Sequence, residues 1–71
     1  MDVYEDLYLQ TNSRVFYFVK DKTVYRCDDG MVMREWLFKR EDMLNDLVFA
    51  GVFRKRPAHL EESMLIDEVM K

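Results

Sequence analysis

The sequence predicts an α+β fold: an antiparallel β-meander of three to four strands with a packed helix, a short edge strand and a C-terminal helix. Three patterns indicate this fold. Short β-favouring runs alternate with turn residues in the first half, an apolar stripe at helical spacing follows, and a second helical pattern comes last. With 71 residues, the chain is expected to form one domain, residues 1–71, with a small core.

Four runs rich in Val, Tyr, Phe and Met are the candidate strands: Leu7–Gln10, Arg14–Val19, Thr23–Cys27 and Met31–Phe38. Asp29-Gly30 is the strongest hairpin signal, because Gly accepts a positive φ without a Cβ clash. The second run is apolar on both faces, which indicates a central strand covered on each side or a strand at a dimer contact. The first run is ambiguous, since Asp2–Leu9 also fits one side of a helix, and we expect a strand from about Leu7.

The apolar stripe predicts a helix from about Arg40 to Ala50. Glu41 and Asp42 fall in its first turn, where free N–H groups favour negative charge, and Gly51 is suited to end it. The segment from 52 to 56 is predicted to be an edge strand whose basic residues discourage further pairing. After Pro57, the pattern from His59 to Met70 predicts the second helix. The residues expected in the core are Phe16, Phe18, Trp36, Leu44, Leu47 and Phe53.

The composition argues against disulfide-bonded, zinc-binding and membrane-spanning proteins. Cys27 is the single cysteine, so no internal disulfide forms, and one cysteine with one histidine does not supply a four-ligand zinc site. The lone cysteine and an acidic N-terminus unlike a secretory signal predict a cytoplasmic protein. No apolar run approaches the length of a membrane span. We expect no cofactor.

Two residues are the candidates for catalysis, and each also has an ordinary structural explanation. His59 has Glu62 and Ser63 one helical turn away, but a general base also needs a substrate group within hydrogen-bond reach. Cys27 could be a nucleophile if the neighbouring Arg26 lowered the pKa of its thiol, but the carboxylates of Asp28 and Asp29 would raise that pKa. A serine triad would have to use Ser13 or Ser63 without a nucleophile-elbow context. We therefore expect no enzyme and assign no catalytic residue.

A metal site is the next possibility. Its candidate ligands are Asp28, Asp29, Glu41, Asp42 and Asp46. An Asp-Asp-Gly turn alone lacks the spacing of a calcium-binding loop, so we predict no metal site.

Nucleic-acid binding is the first alternative function. Residues 39–56 carry a net charge of +2 between acidic neighbours, −2 before and −3 after. The candidate contacts are Lys39, Arg40, Arg54, Lys55 and Arg56. Phosphate binding favours a net positive face, whereas this segment can be neutralised within the protein.

Interaction with another protein is the predicted function. The chain has six methionines and ten aromatic residues, which either all fill the core or exceed what one small core readily buries. Both residue types are favoured at protein interfaces. The expected contacts lie on the last helix: Leu65, Ile66, Val69 and Met70. We predict a small non-enzymatic regulator or inhibitor, of a kind often encoded by phages or prophages, that binds a protein partner or forms a homodimer.

Overall fold

The chain folds into a five-stranded antiparallel sheet with one helix on each face, which confirms the α+β prediction. The computed structural model describes residues 1–9, 14–38 and 40–70. The strands are β1 (Asp2–Asp6), β2 (Val15–Lys20), β3 (Thr23–Asp28), β4 (Met31–Arg34) and β5 (Phe53–Pro57). The helices are α1 (Glu41–Phe49) and α2 (Leu60–Val69). In the sheet order β4-β3-β2-β1-β5, the first four strands form the meander and β5 pairs with β1.

Two tight hairpins set the register of the meander. Asp29 and Gly30 join β3 to β4 with φ values of 51° and 87°, and Asp21 and Lys22 join β2 to β3 with φ values of 51° and 64°. Positive φ at both central residues is the turn geometry that matches the twist of paired strands. The hairpin predicted at Asp29-Gly30 is confirmed.

β2 is the middle strand, and both of its faces are covered. One face, called here the Tyr17 face, packs Tyr4, Tyr17, Val24 and Phe53 against Leu44 of α1. The other face, called the Phe18 face, packs Val3, Phe16, Phe18 and Cys27 against Ile66 of α2. The apolar residues on both sides of this strand are thus explained by two helices, one per face.

The later elements follow the prediction closely. Glu41 and Asp42 lie in the first turn of α1, and Gly51 follows the helix with φ 78° and donates its N–H to Val48 O at 3.0 Å. β5 is an edge strand as predicted and ends at Pro57. His59 is the residue immediately before α2.

Three predictions need correction, and others concern residues outside the described ranges. The first strand is Asp2–Asp6, so a strand from about Leu7 is wrong; Leu7 and Tyr8 form a turn, in which Asp6 accepts the N–H of Tyr8 at 2.9 Å. Trp36 is exposed rather than in the core, because the chain bends after β4 and Phe38 packs against Tyr17 and Phe53 instead. The fourth strand therefore ends at Arg34 instead of Phe38. Gln10, the predicted turn at 11–13, and Lys39 lie outside the described residues.

Candidate functional site

Arg56 joins three elements on the Phe18 face of the sheet. Its guanidinium donates to both carboxylate oxygens of Glu62 on α2, at 2.7 and 2.9 Å, and to Glu5 on β1 at 3.0 Å. The side chains of Arg56 and Glu62 are only 16% and 15% exposed. A bidentate pair with this little exposure fixes geometry better than an exposed ion pair does. The group holds α2 to the β1–β5 edge of the sheet.

The charges in this group reinforce one another. The hydrogen bonds from Arg56 lower the pKa of Glu62 below its ordinary value, against a smaller opposing effect of burial. Burial of Glu5 would raise its pKa, but the hydrogen bonds and charges of Arg56 and Arg54 together lower it. The bond to Glu62 in turn raises the pKa of Arg56. All three groups are therefore ionised at neutral pH.

The basic strand predicted for nucleic-acid binding is largely paired within the protein. Arg54 forms an ion pair with Glu5, and Arg56 is shared between Glu5 and Glu62. Lys55 points to the other face, with Nζ 5.5 Å from the ring centre of Tyr4. Arg40 is exposed just before α1. Because its arginines already face carboxylates, this strand offers little positive charge to a phosphate backbone.

The two candidate catalytic residues line the same groove, of about 990 Å³, between the start of α2 and the Phe18 face. His59 is exposed, and its backbone N–H donates to Glu62 Oε1 at 2.8 Å. Cys27 is buried, and burial raises the pKa of its thiol, with further increases from Asp28, Glu62 and Asp29. The direction predicted for the two aspartates is thus confirmed. A thiol with a raised pKa is a poor nucleophile at neutral pH.

The candidate metal ligands do not gather. Within residues 1–9, 14–38 and 40–70, no three or more His, Cys, Asp or Glu side chains come together as a metal site. Asp28 instead accepts from Arg26 at 3.3 Å, and Glu41 accepts from the Tyr4 hydroxyl at 3.4 Å.

The predicted partner contacts on α2 divide between core and surface. Ile66 is buried against the sheet, and Leu65 and Met70 are partly buried beside it. Val69 is exposed. Ile66 therefore belongs to the intramolecular core, whereas α2 also exposes Leu60 and Met64 to solvent.

Four large apolar side chains are exposed on or just beyond β4, one of the two edge strands of the sheet. Met31 is 67% exposed and Met33 45%, and the chain just beyond the strand exposes Trp36 by 64% and Leu37 by 76%. The Arg34 guanidinium lies over the Trp36 ring, 4.5 Å from its centre. These residues, Met31 to Leu37, are called here the β4 edge. No further strand lies on the outer side of β4 among the described residues.

Within the part of the chain that the structure describes, the backbone of β4 also has no strand paired to its outer side. The two-residue turn makes Asp28–Met31 a hydrogen-bonded pair with β3, and the pairs then alternate along the ladder. Arg26–Met33 is therefore hydrogen-bonded, and Glu35 continues the pattern by donating to Val24 O at 3.0 Å. It follows that Val32 and Arg34 direct their N–H and C=O groups away from β3.

Sequence reasoning treated 31–38 as one strand and missed this surface. A signal was present, because Arg34 interrupts the run and Trp36 follows Arg34 at the spacing that lets the two side chains stack.

No protein-family model, curated protein or solved structure matches the chain. Among the residues that the structure describes, neither helix has the length and apolar character needed to cross a bilayer.

Proposed function

We propose that the chain is a small, non-enzymatic protein-binding module that contacts its partner through the β4 edge. The observation that supports this most directly is the coincidence of two features there: outward-facing backbone groups at Val32 and Arg34, and exposed apolar side chains beside them. An exposed strand edge readily pairs with another chain, and large apolar groups supply the energy of an interface.

The contrast between the two edges of the sheet supports the proposal. The β5 edge carries Arg54 and Lys55 and ends at Pro57, which are the residues that proteins use to prevent pairing at an edge. β4 instead exposes Met31 and Met33, and Arg34 is its one charged residue. One edge is therefore protected against association and the other is suited to it.

Trp36→Ala tests the proposal. We expect it to weaken association at least tenfold, because aromatic residues dominate the energetic centres of interfaces, whereas the loss of an exposed side chain leaves folding nearly unchanged. Association is measured by light scattering over a dilution series, and by capture from a lysate of the source cells with the immobilised protein.

Phe49→Ala is the matched control. Phe49 is 96% exposed at the end of α1, which packs towards β5 at the opposite edge of the sheet. Association that survives Phe49→Ala and is lost with Trp36→Ala supports the proposal. The reverse pattern, or no association in either assay, contradicts it.

A further inference from the structure

We infer that the chain bound at the β4 edge is a second copy of the same protein, paired antiparallel through β4 about a two-fold axis at Met33. The inference rests on the function proposed above. It identifies the partner and gives the register of the contact.

The register follows from which backbone groups are free. Val32 and Arg34 both face outward, so a symmetric pairing satisfies both only when Val32 of each copy lies opposite Arg34 of the other. Centring the axis on Val32 would bring Arg34 opposite Gly30 in the turn, and centring it on Arg34 would bring Val32 opposite Trp36 in the bend. The remaining choice places Met33 opposite Met33 of the second copy as a non-hydrogen-bonded pair, in which side chains approach closely.

Charge favours the antiparallel arrangement. The acidic Asp29 lies in the turn at one end of β4, and Arg34 lies at the other end. Parallel pairing would bring Asp29 beside Asp29, whereas the antiparallel register places Asp29 opposite Leu37 of the other copy. The remaining charge at the Arg34 end, Glu35, accepts the N–H of Leu37 within its own chain at 2.9 Å.

The exposed area fits a dimer of ordinary size. The four exposed side chains of the β4 edge present on the order of 500 Å² per subunit, taking areas typical of large apolar residues. A standard interface buries about 800 Å² per partner. The strand backbone and its flanking residues need to supply only the difference.

Met33→Cys tests the register. Cα atoms of a non-hydrogen-bonded antiparallel pair lie about 4.5 Å apart, within the range of about 4.4–6.8 Å that a disulfide spans. We therefore expect Met33→Cys to give a covalent dimer on mild oxidation, seen on a non-reducing gel. Circular dichroism verifies that the variant is folded.

Met31→Cys is the matched control, because Met31 lies on the same face of the same strand. Two residues from the axis on each chain, the two copies of this position would be about 14 Å apart along the strands, too far for a disulfide. Wild type, whose Cys27 is buried, measures background cross-linking. Cross-linking of Met33→Cys alone supports the inference, whereas equal cross-linking of both variants, or of neither, contradicts it.

Light scattering of the wild-type protein separates this inference from the proposed function. A monomer that still captures another protein in a manner sensitive to Trp36→Ala overturns the homodimer and leaves the proposed function standing. A monomer that also captures no other protein overturns both the homodimer and the proposed function.

Discussion

Arg56 is the residue on which the placement of α2 depends. Arg56 lies in β5, and its guanidinium bridges Glu62 on α2 and Glu5 on β1. A small chain with no disulfide has few other means of fixing its last helix, so this hydrogen-bonded group complements the packing of Ile66.

Glu62→Gln tests the contribution of this group. The pKa of Glu62 is lowered in the folded protein, so its stabilising effect is fully present above the unfolded value of about 4.3 and is lost as pH falls through the folded pKa. At pH 7 we expect the variant to unfold with a free energy about 1–3 kcal/mol lower than wild type. The difference should shrink as the pH is lowered below about 4.

Urea unfolding at several pH values measures this effect, and Glu61→Gln is the control. Glu61 also pairs with an arginine, Arg14, but both side chains are more than 80% exposed, so its loss should cost under about 1 kcal/mol. If the two substitutions lower the free energy of unfolding equally, or if the effect of Glu62→Gln does not depend on pH, the ion pair between Arg56 and Glu62 is not stabilising.

At the residue scale, much of the core was predictable. Phe16, Phe18, Leu44 and Phe53 are buried as expected from their places in strands and helix, and Leu47 is partly buried. Trp36 was assigned to the core on size and apolar character alone. Its position depends on the bend after β4, which local sequence does not specify.

Among the elements, β4 is the edge strand whose outward-facing backbone lies beside exposed apolar side chains. Arg34→Pro tests whether that side forms hydrogen bonds with another chain. The N–H of Arg34 points away from β3, so proline removes an outward donor and leaves the β3–β4 ladder intact. We expect the variant to remain folded and to lose association by at least tenfold.

Arg34→Ala is the control for this substitution, since it removes the same charge and the stacking on Trp36 but keeps the N–H. Light scattering compares the two variants, and circular dichroism verifies their folding. If Arg34→Ala weakens association as much as Arg34→Pro does, the side chain and not the strand backbone makes the contact.

Elements with strong local signals were predicted well, and those without were not. The hairpin at Asp29-Gly30 and the end of α1 at Gly51 both require a positive φ. Glycine adopts this conformation readily, so its presence in the sequence predicts both features. β1 has no such signal, because its strand Asp2–Asp6 is defined by pairing with β5, about fifty residues later in the chain. The spacing of Arg34 and Trp36 was a local signal for the candidate site, but its place at a free edge was not predictable, since strand order is a property of the assembled sheet.

In the whole molecule, two helices cover the two faces of the sheet. The two edge strands are therefore the parts of the sheet that can pair with another chain. The β5 edge carries charged residues, and the β4 edge exposes four large apolar side chains beside Arg34, with outward-facing backbone groups at Val32 and Arg34. Pairing through β4 would join two such sheets into one, with both outer edges being the protected β5.

Amide hydrogen exchange of the wild-type protein tests this pairing most directly. In a lone subunit the N–H groups of Val32 and Arg34 face water, whereas the N–H of Met33 is bonded to β3 and serves as the internal reference. The dimer predicts that exchange at Val32 and Arg34 slows towards that of Met33 as the protein concentration rises. The pairing would be contradicted if Val32 and Arg34 still exchange rapidly at concentrations where light scattering detects a dimer. It would also be contradicted if their exchange stays rapid at every accessible concentration.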